Sequence, residues 1–371
     1  MLKLIIFLVI KMGIVDEFSK LKNYKILDFK PLKPIEKIYG VKKNDNVLIY
    51  CDKGFENKIA SPTLGKTFYE FFKQNGCNVS IVVGKAIKKP HLANKTINNA
   101  VQNLGKNDLF VSVASGQAIY FHKNKKRLIT KELMTNQGFK MIATNGLGSL
   151  ENKNIKDFFN AYNFDQNEVK KIGEKLKKLF EKTKNVRVTC PLGTDIVFQF
   201  DKENKRKVIN NYGNVLTDTN YPVGEVYTSP LEKTANGILF VKSSKVLGET
   251  YLHNHPEKYV IENGLFVSSS FKKLNNAMLQ LEKFNTKQGI KNVNDKVRNI
   301  AEFAIGTNKK AKLIGVMIID EKVYGTCHFG IGASAHFGGK VTCNGHSDHV
   351  IEKPTIYFDG KIIMKNGKFL I

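Results

Sequence analysis

Asn46-Val-Leu-Ile-Tyr-Cys51 is the first of four short apolar runs that alternate with longer amphipathic segments. The other three are Asn78–Gly84, Asp108–Ser115 and Lys140–Thr144, and helical spacing appears in Ala60–Asn75 and Thr96–Leu104. Apolar strands alternating with helices are typical of a parallel sheet covered by helices. The sequence therefore predicts an α/β domain, which we place at residues 1–165.

The pattern changes after a strongly amphipathic helix predicted at Asp165–Thr183. Val186–Cys190 and Thr194–Phe200 are strand-like, and Pro191-Leu-Gly-Thr194 between them is a hairpin signal. Antiparallel pairing of this kind, followed by a further amphipathic helix around Leu274–Phe284, predicts an α+β domain. We place this second domain at residues 185–371.

Charge gives little support to nucleic-acid binding. The chain of 371 residues carries a formal net charge of +26, but only four of its basic residues are arginine. Specific nucleic-acid readers depend on the planar arginine fork, whereas lysine is a solvated point charge. We therefore interpret the lysines, including the cluster Lys123–Arg127, as a solvated surface and expect no specific nucleic-acid partner.

Cysteine usage and hydropathy indicate a cytoplasmic protein. The five cysteines form no Cys-x-x-Cys pair and are odd in number, which fits a reducing compartment rather than a disulfide framework. The apolar run within Met1–Met12 is too short to span a bilayer, and no small-residue cleavage site follows it. We interpret it as an over-long start or a dispensable extension, and expect no membrane association.

Four of the eight histidines fall between His328 and His349. Three of them lie in Gly325-Thr-Cys-His328-Phe-Gly330 and Asn344-Gly-His346-Ser-Asp348-His349, and the fourth is His336. Neutral imidazole and carboxylate are common ligands of zinc-type and other transition metals. His346 and Asp348 are two residues apart, so on an extended segment both side chains point to one face. The spacing predicts a metal site built on His328, His346 and Asp348, which makes the second domain the metal-binding one.

Two glutamates upstream are candidates to extend this site. Glu302 is a lone acid inside the apolar run Ile300–Ile305, where a carboxylate is costly to bury unless it is paired or binds a cation. Glu225 lies at a turn-to-strand junction. Three ligands suit one metal ion in a two-histidine, one-carboxylate site, and five suit two ions that share a carboxylate. Both interpretations remain open on the residues alone.

Four segments together carry a family resemblance. They are Gly224-Glu225-Val-Tyr-Thr-Ser-Pro230, Ala301-Glu302-Phe-Ala-Ile-Gly-Thr-Asn308, Asp320-Glu321-Lys-Val-Tyr-Gly-Thr-Cys-His328 and His346-Ser-Asp348. In this order they resemble the thermophilic leucyl aminopeptidase (aminopeptidase T) family of metallopeptidases. The resemblance covers residues 185–371 well and the amino-terminal half in outline.

The resemblance implies a metalloaminopeptidase-like hydrolase. It implies a homodimer with two divalent metals per chain (Zn, Co or Mn), held by Glu225, Glu302, His328, His346 and Asp348. It also implies that Glu321 acts as a general base or holds a water molecule. The expected substrate is a peptide or a related small molecule.

Two departures indicate a second group of relatives. The peptidases have a tyrosine seven residues after the first ligand histidine, where this chain has Ala335. The segments Gly306-Thr-Asn308 and Gly325–Gly330 look more like 2,5-dihydroxypyridine 5,6-dioxygenases. That resemblance implies one iron(II) on His328, His346 and Asp348, with Glu225 and Glu302 outside the coordination sphere.

Four other histidines are not expected to bind the metal, and a third class of function remains open. His336 and His349 are expected in an outer shell or at the surface, and His253 and His255 in a loop. A metal-stabilised binding protein that acts through its basic surface is the third hypothesis.

Overall fold

The computed structural model describes residues 16–88, 91–116, 118–119, 134, 136–203, 206–215 and 220–371. The apolar run within Met1–Met12 and the cluster Lys123–Arg127 lie outside these residues. Within the described ranges, no helix is both long enough and apolar enough to cross a bilayer. The chain forms two compact units, Met1–Phe164 with Gly213–Pro222, and Asp165–Tyr212 with Val223–Ile371.

The amino-terminal unit contains the predicted parallel sheet. Its strands are β1 (Asn46–Asp52), β2 (Asn78–Gly84), β4 (Leu109–Val113) and β6 (Lys140–Thr144), paired in the order β2-β1-β4-β6. A short pair, β3 (His91–Leu92) with β5 (Ala118–Ile119), is also parallel. The central strands are apolar throughout because helices cover parallel sheets on their faces. The four predicted strands are confirmed.

Helices of this unit follow the sequence signals at their ends. They are α1 (Lys33–Tyr39), α2 (Ala60–Gln74), α3 (Lys95–Gln102) and α4 (Ile155–Asn160), with short 3₁₀ turns at Phe18–Leu21, Lys30–Leu32, Leu147–Ser149 and Asn152–Asn154. Gly40 ends α1 in a left-handed conformation with φ 57°. Asn94 caps α3 by accepting a hydrogen bond from Ile97 N at 3.0 Å.

The carboxy-terminal unit is built on one large antiparallel sheet. Its strands are β7 (Asn185–Thr189), β8 (Asp195–Gln199), β9 (Ile209–Asn211), β10 (Glu225–Thr228), β11 (Asn236–Val246), β12 (Glu249–Glu262), β13 (Leu265–Ser269), β14 (Ile300–Gly306), β15 (Cys327–Gly332), β16 (His346–Ile351), β17 (Thr355–Phe358), β18 (Lys361–Lys365) and β19 (Lys368–Phe369). The order is β19-β18-β17-β7-β8-β11-β16-β15-β14-β10-β9, and β12 and β13 continue from β11. The predicted hairpin is β7–β8.

Helices of the second unit are α5 (Gln166–Lys182), α6 (Lys272–Lys287), α7 (Val293–Val297) and α8 (Met317–Asp320), with a 3₁₀ turn at Ala335–Phe337. Asp165 caps α5, accepting hydrogen bonds from Asn167 N and Glu168 N. The amino-terminal unit has a parallel sheet with helices, and the carboxy-terminal unit has an antiparallel sheet with its own helices. The predicted combination of an α/β domain and an α+β domain is therefore confirmed.

A cluster of phenylalanines holds one face of the large sheet. Phe180 of α5 stacks on Phe303 at 5.8 Å between ring centroids, and Phe198 lies 4.9 Å from Phe303 and 5.6 Å from Phe329. All four side chains are buried. Each buried aromatic ring contributes about 1.5–3 kcal/mol through lost water contact. This packing fixes β14 and β15, whose opposite faces carry the candidate site.

One local prediction is wrong. His253 and His255 lie within β12, not in a loop. His253 is buried, and its Nε2 lies 2.8 Å from Ser244 Oγ. The prediction failed because His-Asn-His-Pro has low strand propensity. The segment lies in a β-bulge within β12, between Leu252, which pairs with Ser243 of β11, and Glu257, which pairs with Val241.

Candidate metal centre

Four adjacent strands carry the five predicted ligands. Glu225 begins β10, Glu302 lies in β14, His328 in β15, and His346 and Asp348 in β16. These strands are neighbours in the order β10-β14-β15-β16. Residues far apart in the sequence are therefore separated by only one strand spacing, about 4.8 Å, at each step.

The register places all five side chains on one face of the sheet. Gly330 lies opposite both Glu302 and Asp348, Gly332 opposite His346, and Ala304 opposite His328. Because directly paired residues point to the same side, the ligands share the face of the two glycines. The intervening residues, among them Phe303 and Phe329, point into the core.

Glu302 lies at the centre of the ligand set. Its Oε1 is 3.5 Å from His328 Nε2 and its Oε2 is 3.2 Å from His346 Nε2. His328 Nε2 is also 3.5 Å from Glu225 Oε2, and His346 Nε2 is 2.9 Å from Asp348 Oδ1. Metal–ligand bonds of about 2.0–2.2 Å separate neighbouring ligand atoms by roughly 3–3.5 Å. The spacing therefore fits cation coordination on both sides of Glu302.

Among the described residues, three close groups could hold a metal ion. They are Glu225, Glu302 and His328; Glu302, His346 and Asp348; and Glu321, His328 and Asp348, with the ligand atoms of each group within 4.8 Å of one another. Each group contains a glutamate, and Glu302 belongs to two. Glu225 Oε2 is buried and has no hydrogen-bond partner in the described part of the chain, as expected of an oxygen that binds a cation.

The backbone orients His346. Its Nδ1 donates a hydrogen bond to Ala333 O at 2.8 Å, which leaves Nε2 toward the carboxylates of Glu302 and Asp348. An imidazole anchored through its second nitrogen is the usual arrangement of a metal-binding histidine. This contact fixes the ring before any metal binds.

Gly330 leaves room for the ligands. A Cβ atom on Gly330 would lie 2.7 Å from His346 Cε1 and 2.8 Å from Glu302 Cβ. Ordinary carbon–carbon contacts are about 3.5–4.0 Å. Glycine at this position lets two ligands from the flanking strands approach each other across β15.

Lys322 is a site residue that the sequence analysis missed. Its side chain is fully buried, and its ammonium donates hydrogen bonds to Glu225 Oε1 and to Glu321 Oε1, the latter at 2.7 Å. Burial lowers the pKa of Lys322, but the carboxylates of Glu225 and Glu321 outweigh burial and hold it above its usual value. Lys322 is thus a permanent cation at the Glu225 end of the site. Its place in Asp320-Glu321-Lys322 was the available signal.

Without metal, hydrogen bonds and charges among the ligands shift their pKa values. Burial raises the pKa of Glu302, but hydrogen bonds from His328 and His346 outweigh it and lower the pKa to about 2. Burial lowers the pKa of His328, but Glu302 and Glu225 raise it to about 9. Burial raises the pKa of Glu225 to about 7 against the effect of Lys322. The metal-free site therefore binds protons that a metal ion must displace.

The remaining candidates lie around this set. Glu321, the predicted base, is mostly buried beside Lys322 and within the group that includes His328 and Asp348. His336 is exposed, and its ring centre lies 5.6 Å from that of His346. His349 is fully buried on the opposite face, with Nδ1 3.2 Å from Tyr259 Oη, which excludes a surface position.

Comparison with known proteins identifies the family. Residues 161–371, more than half of the chain and all of the ligand set, match the family model described as NicX, 2,5-dihydroxypyridine 5,6-dioxygenase. The chain belongs to this dioxygenase family. No curated protein matches the chain.

Solved structures show the same fold. The 2,5-dihydroxypyridine dioxygenase of Pseudomonas putida KT2440 aligns over 92% of this chain and 96% of its own, with a TM-score of 0.61 and 14% identity. Wild-type AmpT of Thermus thermophilus aligns over 93% of this chain and 100% of its own, with a TM-score of 0.55 and 13% identity. Both resemblances seen in the sequence of this dioxygenase-family member are thereby confirmed. At these identities the structures establish the fold alone.

Proposed function

We propose that this protein is a metal-dependent hydrolase of the aminopeptidase type, with two divalent ions per chain. The observation that carries the proposal is the position of Glu302, one oxygen of which faces His328 and the other His346. A carboxylate shared in this way suits a pair of ions. One ion would be held by Glu225, Glu302 and His328, and the other by Glu302, His346 and Asp348.

The chain's own residues would divide the work of hydrolysis. When bound, the ions supply an acidified water and polarise the carbonyl of the substrate. Glu302 and Asp348 neutralise charge in a buried setting, and Ala333 O keeps His346 in one orientation. Glu321, tied to Lys322 at the edge of the set, is placed to accept the proton of that water and return it to the leaving amine.

Metal counting with paired assays tests this proposal. Protein loaded with Zn, Co or Mn should retain two ions per chain by elemental analysis and release p-nitroaniline from leucyl-p-nitroanilide. Glu302→Gln should lower the count to one ion or none and abolish hydrolysis. Glu262→Gln, the same change on an exposed strand residue, is the control. A count that stays at two in Glu302→Gln would rule out the shared carboxylate.

A ring-cleaving iron(II) dioxygenase is the second candidate. The family model and Ala335, which stands where the peptidases have tyrosine, favour it. It would use His328, His346 and Asp348, and protein loaded with iron(II) under anaerobic conditions should hold one ion. Addition of oxygen should then consume 2,5-dihydroxypyridine, with no hydrolysis of the anilide. In that case Glu225→Gln would leave the iron count unchanged.

A further inference from the structure

The face of the sheet that carries the ligands continues one strand beyond Glu225. Asn211, the last residue of β9, lies directly opposite Glu225 in the antiparallel register. Paired residues point to the same face, with Cβ atoms about 4.5–5.5 Å apart. Asn211 is therefore beside the ligand set, although its sequence neighbourhood carries no recognisable motif.

The carboxamide oxygen of Asn211 is buried and accepts no hydrogen bond from the described residues. Only 6% of the residue is exposed, so bulk water does not serve as the partner. A buried acceptor without a donor is unfavourable, and native proteins retain few of them without a ligand, water or ion to satisfy the group. The neighbouring Glu225 Oε2 also has no hydrogen-bond partner among the described residues, but the proposed function assigns it to a metal ion, and Asn211 has no such assignment.

The chain's nearby cation is already engaged. Lys322 donates to Glu225 Oε1 and to Glu321 Oε1, on the other side of Glu225. Asn210, which precedes Asn211, points to the opposite face, where its Nδ2 donates to Glu174 Oε1 of α5 at 3.1 Å. Glu225 Oε1 accepts from Lys322, and the proposed function assigns Glu225 Oε2 to a metal ion, so Asn211 Oδ1 is the acceptor at this end of the site that an N–H donor from outside the chain can satisfy.

We propose that Asn211 is a specificity-determining residue that accepts a hydrogen bond from a primary amine of the substrate. This inference rests on the proposed function, because a free amino terminus is the donor that an aminopeptidase substrate brings to its metal site. The amine would lie at the Glu225 end of the ligand set. The carboxamide selects for the donor without adding a further negative charge beside Glu225.

Binding of two matched alcohols tests the proposal without turnover, because neither has an amide bond for the proposed hydrolase to cleave. Leucinol and 4-methyl-1-pentanol differ by the amine alone, and calorimetry on metal-loaded protein measures both. Wild type should bind leucinol more tightly. Asn211→Leu should weaken leucinol about tenfold, the change expected for one lost hydrogen bond to a charged donor, and leave 4-methyl-1-pentanol unchanged. Asn211→Asp, which keeps an acceptor, should restore binding.

Controls separate this role from folding and from metal binding. Asn211→Ser, which is shorter, replaces the leucine variant if that variant does not fold, and should show the same selective loss. Asn210→Ser is the control on the opposite face and should leave both affinities unchanged. Equal weakening of both alcohols, or a loss of metal from Asn211→Leu and Asn211→Ser, would overturn the proposal.

The outcome also separates this inference from the proposed function. If wild type binds leucinol selectively through Asn211 but hydrolyses no amide or anilide, the amine site stands and the hydrolase does not. If wild type hydrolyses leucyl-p-nitroanilide and Asn211→Leu leaves KM and kcat unchanged, the hydrolase stands and the amine site is refuted.

Discussion

Gly330→Ala should damage the metal centre while leaving all ligand residues in place. The new Cβ would lie 2.7 Å from His346 Cε1, 2.8 Å from Glu302 Cβ and 2.9 Å from His346 Nε2. Carbon contacts settle near 3.5–4.0 Å, so His346 and Glu302 must together give way by about 0.8 Å or more. Overpacking of this kind destabilises a protein by about 1–3 kcal/mol.

Metal affinity should fall further than stability alone requires. Ligands need to stay within about 0.5 Å of their productive positions, and disturbing the groups that position a ligand costs roughly 10–100-fold in affinity. Competition with a chromophoric chelator measures the affinity, and urea unfolding of the metal-free protein measures the stability.

A matched glycine provides the control. At Gly105 a Cβ would have Asp108 Oδ2 as its nearest neighbour, at 3.8 Å, so Gly105→Ala should change stability by no more than about 0.5 kcal/mol and metal affinity not at all. If Gly330→Ala loses stability as expected but binds metal as wild type does, His346 and Glu302 are not jointly ligating in the way their spacing indicates.

Three further predictions address charge and metal. Lys322→Met should destabilise the protein by about 3–5 kcal/mol in urea unfolding, because it leaves Glu225 and Glu321 buried without their cation. The control is Lys245→Met, on a lysine that is 39% exposed beside Asp348, which should lower the free energy of unfolding by less than about 1 kcal/mol. Equal effects of the two substitutions would contradict the argument. Metal affinity should rise with pH up to about 9, because the pKa of His328 is raised to about 9 in the metal-free site. The rise should be roughly tenfold per pH unit for each proton that the metal displaces. A metal affinity that does not change between pH 6 and 9 would refute this. Removal of metal with a chelator should lower the melting temperature, because metal at a hundred times its Kd stabilises the folded state by about 2.7 kcal/mol. An unchanged melting curve would exclude a tightly bound ion.

Local signals in the sequence were sufficient to predict the main strands and helices and the types of residue that would bind a metal. The run Asn78–Gly84 is a strand with the predicted bounds, because its residues favour strands and the sheet buries them on both faces. His346 and Asp348 were recognised together because a strand returns to the same face every second residue. Glu302 was identified by the cost of burying a lone acid in an apolar run.

Contacts that depend on pairing between distant strands could not be predicted from the sequence. Asn211 is a site neighbour only because β9 pairs with β10 in one register, and a shift by one residue would place Asn210 there instead. His349 faces the core for the same reason, since it follows Asp348 on a strand. Lys322 went unnoticed because a lysine in a polar turn ordinarily faces water, and only the tertiary structure buries it.

The distribution of the ligands over β10, β14, β15 and β16 has a consequence for how the chain folds. No two neighbouring strands contain the whole set, and Glu225 and Asp348 lie far apart in the sequence. Closing such long loops is entropically unfavourable and slow compared with local contacts. Metal ions therefore cannot template the early steps of folding, as they do in zinc fingers, and should bind only after the four strands are in register. Added metal should accordingly slow unfolding while leaving the refolding rate unchanged.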